Sequence, residues 1–164
     1  MNKESIYILE DRGIIYINGS DTLDYLQNII SNDLKKVTDT QSCFSYLLTP
    51  QGKYLFEFII VKHKSGYFLD CPKYQIENLY KQLTLYKLRS KVEITNLSNE
   101  FVVAALSKDK FSEFEKNNAK TGMTIKFRED PVILDPRCVD LGARIVINLE
   151  KLYLSSKKLN LKIS

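Results

Sequence analysis

Leu48-Thr49-Pro50-Gln51-Gly52-Lys53-Tyr54-Leu55-Phe56-Glu57-Phe58-Ile59-Ile60-Val61-Lys62 is the stretch that decides the fold. Thr49-Pro50-Gln51-Gly52 reads as a tight turn, because proline presets φ at the second position and glycine suits the fourth. Tyr54 to Lys62 then runs almost wholly apolar, which is the pattern of a strand buried on both faces. Glu57 alone interrupts it. Cys43-Phe44-Ser45-Tyr46-Leu47-Leu48-Thr49 precedes the turn as a second strand. Beyond a Lys64-Ser65-Gly66 turn, Tyr67-Phe68-Leu69-Asp70-Cys71 makes a third. Short turns between strands predict an antiparallel meander.

Working outward, Ser5-Ile6-Tyr7-Ile8-Leu9-Glu10 and Ile14-Ile15-Tyr16-Ile17-Asn18 flank Asp11-Arg12-Gly13 and predict a hairpin. Leu23, Leu26, Ile29 and Ile30 follow at helical spacing, with Ser20 as the expected N-cap and the helix ending near Asn32. Pro72 suits the first position of a helix carrying Ile76, Leu79, Tyr80, Leu83 and Tyr86. Lys91-Val92-Glu93-Ile94-Thr95 closes this unit as a strand. A second unit then begins, with Phe101 to Ser107 as a strand and Asp109 to Asn118 as a helix. Strands follow at Met123 to Phe127, Pro131 to Asp135 and Ala143 to Asn148, and a last helix at Leu149 to Leu159. The order resembles the first unit at coarse grain and hints at duplication. The expected class is α+β, antiparallel sheets with packed helices in two related subdomains, 1–96 and 97–164.

Composition narrows the function by exclusion. The chain has 164 residues, 44% apolar and 27% charged, with a net charge of +4, as ordinary globular domains do. No run of about eighteen apolar residues occurs, so no transmembrane helix and no membrane partner are expected. Acids lie close behind the short apolar run at the start, unlike a signal peptide, so a cytoplasmic location is expected. Cys43, Cys71 and Cys138 are too far apart for a CxxC site and read as separate reduced thiols in packed strands. The single histidine, His63, lies in Lys62-His63-Lys64-Ser65-Gly66 and reads as a solvated loop residue. No metal site is expected. Phosphate-loop, dinucleotide, zinc-protease and serine-hydrolase signatures are absent.

Chemistry then falls to carboxylates, tyrosines and basic corners. Glu57 faces either solvent at an edge or a pocket, where it would accept a ligand N–H; an unpaired charge inside is costly. Asp70 poses the same question at a strand end. In Tyr86-Lys87-Leu88-Arg89-Ser90-Lys91, the cations Arg89 and Lys91 either complement a helix C-terminus or hold an anionic ligand tail. Asp135-Pro136-Arg137 and Asp140-Leu141-Gly142-Ala143-Arg144 form a further polar cluster, read as loop-stabilising.

Four segments in order resemble one family. Gly19 to Asp33 is similar to the G-x-D-x-x-x-(F/Y)-L-Q-x-x-x-(S/T)-N-D opening of the glycine-cleavage T-protein superfamily, the aminomethyltransferase-like folate-binding proteins. Leu48 to Lys53 resembles the L-x-P-Q-G-K turn of its YgfZ/IBA57 branch. Tyr86 to Val92 resembles that branch's Y-x-L-R-x-K-V corner. Asp135 to Arg144 resembles its D-P-R-x-x-x-L-G-x-R segment. The resemblance implies a tetrahydrofolate pocket between two related subdomains, with Glu57, Tyr86, Arg89 and Lys91 as the expected cofactor-binding residues. It also implies a role in iron–sulfur cluster assembly or repair, with client or assembly proteins as partners and nucleic acid not among them. The alternatives are an aminomethyltransferase passing a one-carbon unit to tetrahydrofolate, and a protein- or RNA-binding α+β module. In the T-protein two acids follow the glycine turn, whereas here Phe56 replaces one and Glu57 remains. The branch's K-G-C-Y-x-G-Q-E motif is absent, so the sequence reads as the N-terminal portion of such a protein. Folate binding is therefore expected of the full-length protein, with this portion supplying part of the pocket.

Overall fold

The computed structural model describes residues 1–115 and 119–164. In chain order the elements are β1 (Ser5–Ile8), β2 (Arg12–Asn18), α1 (Thr22–Gln27), β3 (Cys43–Leu48), β4 (Tyr54–His63), β5 (Gly66–Pro72), α2 (Ile76–Lys87) and β6 (Glu93–Asn96). They continue as β7 (Phe101–Leu106), α3 (Lys108–Phe114), β8 (Thr124–Phe127), β9 (Asp130–Leu134), β10 (Ala143–Asn148), α4 (Leu149–Lys158) and β11 (Lys162–Ile163). Hydrogen bonding divides the strands into two sheets, ordered β3-β4-β5-β2-β6 and β11-β1-β7-β10-β9-β8. Pairing is antiparallel throughout except between β1 and β11. The expected α+β class is what the chain adopts.

Period-two alternation in β4 explains the layering. Phe58 and Ile60 point to one side and join Tyr25 and Leu26 of α1 and Ile76, Leu79 and Leu83 of α2 in one apolar cluster. Ile59 and Val61 point to the other side. There they meet Ile14 and Phe68 of the same sheet and Val103, Ile133 and Val146 of the opposite sheet. Phe111, Leu152 and Leu159 cover the outer face of that second sheet. The result is four layers, helix, sheet, sheet, helix, with an apolar seam between the sheets. Phe58, Ile59, Ile60 and Val61 are all fully buried, as a strand covered on both faces must be.

The hint of duplication becomes definite in the topology. In the first sheet β3-β4-β5 is followed by the earlier strand β2, and in the second β8-β9-β10 is followed by the earlier strand β7. Each unit runs strand, short helix, three-strand meander, longer helix, strand. In the second unit β1 is inserted between β7 and the closing strand β11. Strand β1, which falls in the expected 1–96 segment, thus lies in the second sheet.

That insertion overturns the expected β1–β2 hairpin. Both edges of β1 are occupied, one by β7 and the other by β11, so β2 has no edge to pair with and joins the other sheet. The expected helix end near Asn32 is also corrected: α1 stops at Gln27 because its neighbours' side chains grip β3 instead. Gln27 donates from Nε2 to the Asn32 carbonyl (2.9 Å), and its Oε1 accepts the Leu34 N–H (2.7 Å). Asn32 Nδ2 donates to the Phe44 carbonyl (3.0 Å) and the Ser31 hydroxyl accepts the Tyr46 N–H (2.9 Å). Such side chains compete with helical hydrogen bonds. Asp21, not Ser20, precedes the helix, and its carboxylate makes no cap bond. Pro72 ends β5, and a short 3-10 turn over Lys73–Gln75 comes before α2. Of the helix expected to reach Asn118, residues 116–118 lie outside the described residues. No described helix is long and apolar enough to cross a membrane.

Candidate functional site

At one end of the seam, β2, β5 and β10 and the residue just after β9 each place a charged side chain between the sheets. Asp70 of β5 is fully buried. Its carboxylate accepts from Arg12 Nε of β2 (2.8 Å) and from an Arg144 guanidinium nitrogen of β10 (2.7 Å), while Arg12 also donates to the Asp70 carbonyl (2.9 Å). Arg144 reaches on to Asp135, just beyond β9, at 3.2 Å. Asp135 accepts bidentately from Arg137 at 2.9 and 2.7 Å and takes the Arg137 N–H as well (2.9 Å). An alternating chain, Arg12–Asp70–Arg144–Asp135–Arg137, therefore bolts one sheet to the other. Burial pushes the Asp135 carboxyl up, yet the Arg137 hydrogen bonds and the charges of Arg144 and Arg137 outweigh it and leave the group below its ordinary value. The D-P-R and L-G-x-R motifs are thus one structural device.

Glu57 sits beside this chain, on the same face of β4 as Ile59 and cross-strand from Tyr46. It is half-buried, and its carboxylate makes no hydrogen bond or ion pair among the described residues. Its charge is nevertheless felt. Hydrogen bonding to Asp135 holds Arg137 above its ordinary value against burial, and the charges of Asp135, Asp70 and Glu57 add to this. Three guanidinium groups face three carboxylates, so Glu57 completes the local charge balance.

Glu57 also lines a cleft of about 190 Å³ with Tyr46, Tyr54, Phe56, Tyr74 and Gln75. Tyr46 and Tyr54 are stacked, with ring centroids 4.5 Å apart and planes at 30°. Tyr54 is 70% and Tyr74 83% exposed, which is unusual for large aromatic surface. Gln75 Oε1 is buried there without a hydrogen-bond partner. One carboxylate without an internal donor thus stands beside stacked rings. Such a site suits a planar ligand with N–H groups along one edge. The cleft is smaller than the ~300–1,000 Å³ that encloses a whole drug-sized ligand, so it fits a ring head alone.

The structure does not bring the Tyr86–Lys91 corner to Glu57. Tyr86 packs on the helix side of the first sheet and lines a separate cleft of about 740 Å³ with Ile29, Leu48, Pro50, Leu85 and Leu88. Arg89 and Lys91 are exposed. What fixes the corner is backbone: the Lys91 N–H donates to Asp21 Oδ2 (2.7 Å), and the Asp21 N–H donates to the Lys91 carbonyl (3.2 Å). Gly19, at φ +130°, lies so close that a Cβ would fall 2.3 Å from that carbonyl oxygen. The corner and the Gly19-Ser20-Asp21 turn therefore fit each other.

Two readings of single residues are corrected. His63 is not solvated: it is buried at the end of β4, stacked on Phe68 at 4.4 Å and 21° and edge-on to Tyr16 at 5.9 Å. Burial first, then the charges of Lys126, Lys64 and Lys151, lower its pKa to about 4. Cys43 and Cys71 are buried thiols, pushed up by burial to about 11 and about 12, but Cys138 lies exposed in the loop after β9. Among the described residues no group of three or more His, Cys, Asp or Glu side chains could hold a metal ion. The sequence reading missed Tyr54, Tyr74 and Gln75; their proximity to Glu57 depends on the β5–α2 connection folding back, which no local pattern encodes.

Two related α+β units packed sheet to sheet, with a carboxylate cleft at the seam's end, define an aminomethyltransferase-type fold. The comparisons agree: the chain is similar to proteins of the glycine-cleavage T-protein and IBA57 type. Over 150 residues (84% of this chain, 34% of the relative) it is 26% identical to the mitochondrial iron–sulfur cluster assembly factor IBA57 homolog of Mycosarcoma maydis. Over 113 residues (68% of this chain, 30% of the relative) it is 27% identical to the aminomethyltransferase of Caldanaerobacter subterraneus subsp. tengcongensis. Aminomethyltransferase T of the Bartonella henselae glycine cleavage system shares the fold with a TM-score of 0.75 at 13% identity, covering 97% of this chain and 47% of that one. No family model matches. The chain spans about a third of the length of these curated relatives.

Proposed function

We propose that the chain is the folate-head-binding portion of an accessory protein in iron–sulfur cluster assembly or repair, acting with a client or assembly protein. The observation that carries this reading is Glu57, a half-buried carboxylate without an internal partner, at the mouth of a tyrosine-lined cleft that also holds the unpaired Gln75 oxygen. The pterin edge offers amino and ring N–H donors to the Glu57 carboxylate, and its faces suit Tyr46 and Tyr54. IBA57 homologs among the relatives support the accessory role. Glu57 is retained as the ligand residue; Tyr86, Arg89 and Lys91 are assigned to the corner that docks on Asp21. Phe56 stands where the T-protein pattern has its other acid, and it packs on the helix-side core, so one-carbon transfer lacks a carboxylate.

Titrating tetrahydrofolate into the full-length protein and its Glu57→Ala variant tests this. Loss of one charge-assisted hydrogen bond, about 1.5–3 kcal/mol, should weaken binding at least about tenfold. Equal affinity would remove Glu57 from the site, and no binding by the unmodified protein would defeat the ligand assignment. Turnover with lipoylated carrier protein and folate would favour the aminomethyltransferase reading instead.

A further inference from the structure

Leu88 is the most exposed large apolar side chain among the described residues, at 86%, and it stands in a backbone conformation that leucine resists. It sits at φ +46° and ψ −113°, second in the turn that the Ser90 N–H closes on the Lys87 carbonyl (2.8 Å). That place suits glycine. A side chain that buries so little cannot offset the strain by packing in the core. Strained positions of this kind persist where the side chain has another use.

Beside Leu88 the surface is apolar and concave. Leu88 and Leu85 both line the cleft of about 740 Å³, and Leu85 also lines a neighbouring cleft of about 360 Å³ with Tyr80, Lys81 and Thr84. Leu85, itself 64% exposed, thus joins the two into one groove along the outer face of α2. No carboxylate lines either cleft. α1 and α2 carry Asp24 and Glu77 in their first turns, whereas Asn28 and Leu85 bring the opposite ends of both helices to the groove. Cations border it instead. Lys81 is a lining residue, Lys53 follows the lining Gly52, and Lys87 and Arg89 flank Leu88. None of these four forms an ion pair among the described residues.

We propose that this groove docks an amphipathic helical segment of a partner protein, with its apolar stripe on Leu85 and Leu88 and acidic residues on its flanks. Charge complementarity selects this occupant: each acidic flank meets a cation that has no partner, and apolar anchors fill the clefts between. A second copy of the chain would bring the same four cations face to face. A membrane surface is flat, and the groove is concave. The inference rests on the accessory reading for the existence of a partner. It is independent of the folate head, since the groove shares no lining residue with the Glu57 cleft.

The test is fluorescence anisotropy of the full-length protein with two labelled helical peptides of about 18 residues, each with leucines at i, i+3, i+4 and i+7. One peptide is flanked by glutamates and the other by lysines. The glutamate peptide should bind with a Kd below about 100 µM and at least about tenfold more tightly than the lysine peptide, the margin narrowing as salt rises. Leu88→Gly removes the side chain and relieves the backbone, so it should weaken the glutamate peptide about tenfold while the thermal midpoint stays level or rises. Leu85→Glu should weaken it at least as much and leave tetrahydrofolate binding unchanged. Peptide binding without tetrahydrofolate binding supports the groove and defeats the folate head alone; the reverse overturns the groove and leaves the folate head standing. Equal affinity for the two peptides overturns the acidic partner. Leu88-dependent binding to phosphatidylserine vesicles in place of the peptide assigns the face to a membrane and overturns the proposal. A Leu85-dependent rise in mass with concentration overturns it too, by assigning the face to a second copy.

Discussion

Asp70 joins two arginines from different sheets and has no exposed surface, so it answers for the seam more than any other single residue. Removing it strands Arg12 and Arg144 as buried, partly unpaired cations. Asp70→Ala should therefore cost about 3–5 kcal/mol of stability, seen as a fall in the urea midpoint. A change under about 1 kcal/mol would show the chain of charges to be solvated. The sequence marked Asp70, Asp135, Arg137 and Arg144 as polar residues at strand ends. It could not join them, because Asp70 and Arg144 are 74 residues apart and pairing across sheets leaves no periodic trace. His63 was misread for the same reason. Lys-His-Lys-Ser-Gly resembles a turn, but Phe68 and Phe101 close over the ring. With a folded pKa near 4 against 6.5 unfolded, His63 takes up its proton more readily in the unfolded chain. Its neutral burial thus stabilises the fold fully above pH 6.5, and that contribution falls as pH drops towards 4, by at most about 3 kcal/mol. His63→Phe should flatten the decline in urea midpoint between pH 7 and 4; an unchanged slope would place the loss elsewhere.

Elements set by local pattern were legible; elements set by partner choice were not. The β3–β4–β5 meander follows from the Pro-Gln-Gly turn and the apolar run, with Gly52 at φ +80° and its N–H on the Thr49 carbonyl (2.9 Å). By contrast, β1 and β2 look like a hairpin in sequence and separate because β7 and β11 claim both edges of β1. The signature residues Ser31 and Asn32 prove to latch the segment after α1 onto β3, Gln27 braces that segment through Asn32 and Leu34, and Gly19 and Asp21 receive the Lys91 corner. Gly19→Ala should accordingly destabilise by about 2 kcal/mol or more, since the new Cβ meets backbone that cannot yield and φ is positive. Thermal unfolding measures this, and a Tm within a degree of the parent would show that the corner shifts freely.

Across the whole molecule, the two duplicated units are neither separate domains nor one undivided sheet. Ile14, Ile59, Val61 and Phe68 interlock with Val103, Ile133 and Val146, and the Arg–Asp chain closes one end. Strand β1 precedes the first unit in the chain yet lies in the second unit's sheet. Native-state hydrogen exchange should then find the most protected amides of β4, β5 and β10 opening together, within about 1 kcal/mol of one another. Two clearly separated values would show independent units. Duplication was visible in the sequence only as an order of elements, because the two halves share topology without repeating residues.

The cleft at the seam's end is where fold becomes function, and tyrosine ring NMR reports on it directly. On adding tetrahydrofolate to the full-length protein, the ring signals of Tyr46, Tyr54 and Tyr74 should move, while those of Tyr80 and Tyr86 on the far side of the first sheet stay in place. Shifts confined to Tyr80 and Tyr86, or none at all, would contradict a ligand head held against Glu57.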